Sequence, residues 1–204
     1  MTATATAPPL KQIRPVPFLL SVDRYHAMVA NGTLTTMDRV ELIDGNLVEK
    51  MSQNTPHRAT LGRLDFHLKR LVPTGWWVSC QMPITLPRSV PEPDIAVVRG
   101  DEWSYDDRHP EPADFGVVIE VSDSSLWYDR TVKGRLYAEA GIPEYWIVNI
   151  GERLVEVYTS PTPAADPPAY AARTDYAVGQ SVPLALDGIA VAQLPVADYL
   201  PRTP

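Results

Sequence analysis

The feature that most limits the fold of this chain is a pair of apolar runs, Pro93-Asp94-Ile95-Ala96-Val97-Val98 and Val117-Val118-Ile119-Glu120-Val121-Ser122. Both are rich in β-branched residues, which fit the pleated surface of a sheet. The second shows no polar alternation, so both of its faces must be covered. Yet each run carries one carboxylate. An ionised acid on a core strand costs several kcal/mol unless it is paired or binds a cation.

Side chains alternate across a strand. Asp94, Ala96 and Val98 therefore share one face of the first run, and Val118, Glu120 and Ser122 one face of the second. If the strands pair with these faces together, both carboxylates point to one side. Two close carboxylates repel unless a cation lies between them. Mg²⁺ suits such a site, because it takes one or two carboxylates together with water and substrate phosphate.

A charge-stabilising group is expected on the helix that follows, over 126–140, which Ser124-Ser125 caps and Gly141 ends. Asp129, Lys133, Leu136, Tyr137 and Ala140 form one stripe of that helix. The apolar members should face the sheet, which brings Lys133 inward near the end closest to Glu120. Arg130 and Arg135 fall off the stripe, toward solvent. Asp123 and Asp129 read as favourable charge near a helix N-terminus, and Asp129 offers Lys133 an i, i+4 pair worth ~0.3–0.5 kcal/mol.

The remaining elements follow from periodicity and turn residues. Residues 21–30 read as a short helix capped by Ser21 and stopped by Asn31-Gly32. Residues 39–49 read as a hairpin turning at Asp44-Gly45. Residues 57–72 carry Leu61, Leu64, Leu68, Leu71 and Val72 at amphipathic spacing. A long strand is expected over 75–86, a polar loop over 99–112, strands at 144–150, 153–158 and 170–176, and a short helix or cap from Pro195. Between 57 and 150 the order is helix, three strands, helix, strand, an α/β layer with helices on a mixed sheet.

A chain of 204 residues with 45% hydrophobic content fits one domain, taken as 16–204, behind a disordered Thr-Ala-Pro tail over 1–15. The tail has neither the basic start nor the apolar core of a signal peptide, and no uncharged apolar stretch approaches the ~20 residues of a membrane span. The expectation is a cytoplasmic protein with no membrane contact. Cys80 stands alone, which excludes an internal disulfide and a cysteine-built zinc site, and reads as a buried inert thiol. A net charge of −7 argues against a general nucleic-acid coating protein. It leaves room for a nuclease, whose clustered acids add negative charge.

The run IEVSDSSLWYDRTVKGRLYAEAGIPEYWIVN, with PEPDIAVV and VELIDGNLVEKMS upstream, resembles the Uma-type family of putative restriction endonucleases within the PD-(D/E)XK nuclease superfamily. The resemblance spans about 36–200 and is densest over 91–150. It implies a restriction-endonuclease-like core, here with an N-terminal helix and hairpin and extra C-terminal strands. It implies Asp94 and Glu120 as metal ligands and Lys133, on the helix, as the catalytic lysine. The superfamily pattern has a lysine two residues after the Glu, where this chain has Ser122. By the same resemblance Glu41 completes the site as a third carboxylate, and His57 matches a histidine at the start of the core helix. For His57 the residues themselves favour a helix-start or surface histidine. Gln81, on the first core strand, is placed to hydrogen-bond a phosphate or a ligand water.

The implied function is a Mg²⁺-dependent endonuclease, with Mn²⁺ as a substitute, cutting DNA. A homodimer is expected, since cutting both strands of a duplex favours a two-fold pair. The competing expectation is a catalytically weak or inactive nuclease-fold module that binds nucleic acid or a protein partner. A metal-dependent hydrolase of some other substrate would use the same acids.

Overall fold

The structure is a computed structural model that describes residues 16–202; the tail expected over 1–15 lies outside the described residues. Helix α1 (Val22–Ala30) opens at Ser21, whose side chain accepts the Arg24 N–H. Strands β1 (Val40–Ile43) and β2 (Asn46–Glu49) form an antiparallel hairpin. At its tip Asp44 and Gly45 both take positive φ, 48° and 78°, as a tight Asp-Gly hairpin turn requires. Helix α2 (Thr55–Leu71) starts at Asn54, whose side chain accepts the His57 N–H, and buries Leu61, Leu64 and Leu68.

The central sheet contains β3 (Trp76–Cys80), β4 (Ile95–Arg99), β5 (Phe115–Ser122), β6 (Glu144–Asn149), β7 (Leu154–Thr162) and β8 (Ala169–Ala177), in that spatial order. The β5–β6 pair is parallel and every other pair antiparallel. The sheet is therefore mixed and flanked by helices, as expected from the order of elements. The long strand expected over 75–86 stops at Cys80, because Gln81 turns into the left-handed region with φ 50° and Pro83 and Pro87 cannot donate to a ladder. Cys80 is half-buried, and burial raises its thiol pKa.

A second hairpin, β9 (Ser181–Leu186) and β10 (Ile189–Pro195), was not anticipated strand by strand. Its signal is present: Asp187-Gly188 turns at positive φ between alternating apolar residues, of which Val182, Leu184 and Leu186 are buried. This hairpin and α2 cover one face of the sheet, over Ile95, Val97, Val117, Ile119 and Val121. The other face, with Ala96, Val98, Val118 and Ile147, packs on Leu136 and Tyr137. All eight residues of β5 are buried, as the lack of alternation required.

The helix after β5 is not regular. It runs from α3 (Leu126–Tyr128) through a π turn (Asp129–Lys133) into α4 (Gly134–Glu139). The Gly134 N–H reaches five residues back to the Asp129 carbonyl, which also accepts the Tyr145 hydroxyl at 3.1 Å. A Cβ on Gly134 would stand 3.3 Å from that carbonyl and 3.6 Å from the Tyr145 ring, so the wide turn fits closely only around glycine. Gly141 ends the helix at φ 72°. Its N–H and that of Ile142 return to Ala138 and Tyr137 carbonyls at 3.0 Å. No helix among the described residues is long and apolar enough to cross a membrane.

Arg130 and Arg135 do not stand free in solvent. Arg135 pairs with Asp44 and Glu139. Arg130 reaches the fully buried Glu156 at 2.5 Å. Burial alone would raise the Glu156 pKa, but Arg130, Tyr158, Asn149 and Arg173 outweigh it and hold the carboxyl below its usual range. Arg130→Ala, which leaves that acid in the core with fewer partners, should cost about 3 kcal/mol of unfolding free energy in urea titration. A loss under about 0.5 kcal/mol would show the pair to be no stronger than a surface one.

Candidate active site

The hairpin β1–β2, the start of α2, the facing ends of β4 and β5, and the π turn enclose a cavity of about 270 Å³. Asp94 and Glu120 both line it. Ala96 pairs with Val118 in the β4–β5 register, so the two acid-bearing faces coincide as alternation required. The backbone ties them further. The Val121 N–H donates to Asp94 Oδ2 at 2.8 Å, and the Asp94 N–H points to Glu120 Oε2 at 3.4 Å. Asp94 is 8% exposed and Glu120 3%, which makes both desolvated carboxylates rather than surface acids.

Lys133 meets them from the π turn. Its Nζ donates to Glu120 Oε1 at 2.7 Å, and the Tyr137 hydroxyl donates to the same oxygen at 2.7 Å. The lysine thus pairs with Glu120, not with Asp129 four residues back. Asp129 is itself buried at 3% exposure and lines the cavity. It lies near the helix start, as read from the sequence, but it is a buried member of the acid cluster and not only a helix-end charge. The Ser125 hydroxyl donates to Asp129 at 2.5 Å. Ser122, where the superfamily pattern has lysine, is buried and lies 3.3 Å from the Ser125 hydroxyl. Ser122 therefore belongs to a hydroxyl chain ending on Asp129.

The other sequence-derived candidates also converge. Glu41, on β1, is buried and lines the cavity; its Oε1 accepts the Glu92 N–H at 3.0 Å. His57 is not a surface histidine, because the first turn of α2 brings its Nε2 to 3.0 Å from Asp94 Oδ2. The carboxylate accepts, so the ring donates from Nε2, and Nδ1 is buried without a partner. Gln81 approaches Asp94 Oδ1 at 3.5 Å, aimed by its left-handed backbone.

Several residues at the site escaped the sequence reading. Gln53, in the loop before α2, stands 3.4 Å from Asp94 Oδ1, and no motif marks it. Tyr137 lies on the stripe read as core packing; only the helix register shows its hydroxyl on Glu120. Tyr128 lines the cavity with its hydroxyl buried and without a partner.

The electrostatics are those of an acid-rich cavity. Burial pushes Glu120 up to about 8, with Asp94 and Asp129 adding to the rise and Lys133 opposing it. Burial likewise raises Asp129. For Lys133 burial favours the neutral amine, but attraction to Glu120, Glu41 and Asp129 outweighs it and holds the lysine above its ordinary range. Three buried acids, Glu120, Glu41 and Asp129, thus share the Lys133 ammonium. Among the described residues no group of three or more His, Cys, Asp or Glu is arranged to hold a metal ion. The two carboxylates that could hold a hard divalent cation keeping most of its water are Asp94 and Glu120, which line one cavity.

A family model, Uma2, described as "Putative restriction endonuclease", matches residues 22–193. No curated protein matches. Among solved structures, a crystal structure of a putative nuclease belonging to DUF820 from Anabaena variabilis superposes with a TM-score of 0.64 at 16% identity. The match covers 90% of this chain and 97% of that one. At that identity the likeness is one of fold.

Proposed function

The chain belongs to the Uma2 family of putative restriction endonucleases, and on that premise we propose that it is a divalent-metal-dependent endonuclease hydrolysing phosphodiester bonds of DNA. The observation that carries the proposal is the meeting of Asp94, Glu120 and Lys133 in one cavity, with Lys133 Nζ 2.7 Å from Glu120. The missing lysine at Ser122, with the net charge of −7, favours an inactive module. That support weakens when another lysine reaches the same acid.

Asp94 and Glu120 would hold the ion, Mg²⁺ by preference and Mn²⁺ as a substitute. Such an ion lowers the pKa of a water and neutralises charge developing on a phosphoryl oxygen. The protein groups divide the remaining work. Val121 N–H and His57 hold Asp94 in place, and Tyr137 holds Glu120. Lys133 keeps its proton at Nζ, so its role is to orient the attacking water and offset transition-state charge, not to act as a base.

The test is cleavage of DNA by purified protein with Mg²⁺ or Mn²⁺ and none with a chelator, alongside Asp94→Asn. The asparagine oxygen can still accept the Val121 N–H, so the variant should fold and yet lose cleavage. Equal cleavage by both proteins would identify a contaminant.

A further inference from the structure

One side chain at the cavity of the candidate site carries a hydroxyl that nothing in the fold uses. Tyr128 lines that cavity, and its Oη is buried with no hydrogen-bond partner. A buried polar group left unpaired costs about 1–3 kcal/mol. Most are paired in folded proteins, and one at the wall of a cleft points to a partner that arrives with a ligand. The placement is not a by-product of helix propensity. Tyr128 immediately precedes the π turn whose last residue is Lys133. Widening that turn moves residues five apart onto nearby azimuths, so Tyr128 and Lys133 are carried to one side. π turns of this kind are frequent at functional sites.

The chemistry of the surroundings selects the partner. Tyr128 lines the cavity together with Glu41, Asp94, Glu120 and Asp129, and none of these carboxyls accepts from its hydroxyl. Burial, then Glu41, raises its pKa to about 12, so it remains a donor at any working pH. Lys133 is committed to Glu120, and the amides of Gln53 and Gln81 approach Asp94. An anionic phosphodiester entering among these acids finds few free donors. The tyrosine is a neutral one already desolvated.

We infer that Tyr128 contacts the substrate, donating a hydrogen bond to a non-bridging oxygen of the phosphodiester bound beside Asp94 and Glu120. The inference rests on the nuclease reading above and adds a residue to it. Tyr128→Phe removes only the oxygen. The variant should keep its melting temperature or gain slightly, since an unpaired buried hydroxyl is lost. It should keep its Mg²⁺ affinity by calorimetry. Its kcat/KM for DNA cleavage should fall by about 10–100-fold, the range of a hydrogen bond to a charged group. A merely structural tyrosine would instead lower the melting temperature.

Unchanged cleavage in Tyr128→Phe would overturn the inference. So would a loss of cleavage matched by an equal loss of Mg²⁺ affinity, which would assign the hydroxyl to the ion's water shell. Binding keeps the two readings separable. With a labelled DNA duplex and Ca²⁺ in place of Mg²⁺, the variant should bind more weakly than wild type. If the wild type cleaves nothing, the nuclease reading falls. The binding comparison then still decides Tyr128, with equal affinities rejecting it.

Discussion

Glu120→Gln is expected to abolish metal-dependent cleavage while leaving a folded protein. The loss should be on the order of 10³-fold, because an ion's charge stabilisation is worth several kcal/mol and each 1.36 kcal/mol is tenfold in rate. The glutamine oxygen can still accept from Lys133 and Tyr137, which share one Glu120 oxygen now, and only the long 3.4 Å contact from the Asp94 N–H to the other oxygen is lost, so core geometry should survive. Metal binding gives a second readout. Burial pushes Glu120 up to about 8, and a carboxylate must lose its proton to bind an ion. Mg²⁺ binding by the wild type near pH 7 should therefore release a proton, visible as a buffer-dependent heat. The variant should bind weakly and release none. Proton-free binding of equal strength in both would remove Glu120 from the ligand set.

Lys133→Met is expected to give the largest stability change. Removing one partner of a buried pair leaves the other charge uncompensated and costs about 3 kcal/mol or more. The pH dependence has a definite sign. Glu120 has a folded pKa above its unfolded value of 4.5. Its contribution to stability is therefore present in full below pH 4.5 and is lost as the pH rises through about 8. Lys133 opposes that rise. Without it the acid should be pushed higher still, so the variant should lose more between pH 5 and pH 8 than the wild type does. Urea denaturation of metal-free protein at both pH values measures this. A difference between variant and wild type that stays constant with pH would show that Glu120 does not feel Lys133. The variant should also fail to cleave, since Met cannot orient water or carry charge.

Both expectations depend on details that stood at different distances from the sequence. Asp94 and Glu120 were legible because a charge inside a β-branched run is an energetic conflict, and strand alternation leaves only two faces to choose from. Their coincidence then needed a single pairing register, which the structure has as Ala96 opposite Val118. Lys133 was legible as inward-facing because Leu136 and Tyr137 commit the stripe to the sheet. Its partner was only half legible: the stripe put it near Glu120, i, i+4 spacing offered Asp129 as well, and the contact of Nζ with Glu120 decides between them.

Other residues were out of reach for similar reasons. His57 lies on the polar start of α2, where local pattern favours solvent; its contact with Asp94 joins residues 37 positions apart. Arg130 lies off the apolar stripe, yet it meets an acid on β7, a strand whose position depends on the whole sheet order. The β9–β10 hairpin carried its Asp-Gly turn in plain sight, but lies in a Pro-rich third of the chain where period-2 alternation is short.

The order of amino acids alone dictates the layered fold and the two acid-bearing strands. These follow from side-chain period, turn chemistry and the cost of a buried charge, all of which act over a few residues. It also determined the family through the 91–150 segment. Which groups share the cavity depends on how distant segments pack. The π turn, the hydrogen bond from His57 to Asp94, the pairing of Lys133 with Glu120 and the unpartnered Tyr128 hydroxyl all arise from packing between distant segments. Such packing sets positions to within an ångström, and hydrogen-bond partners change over that distance.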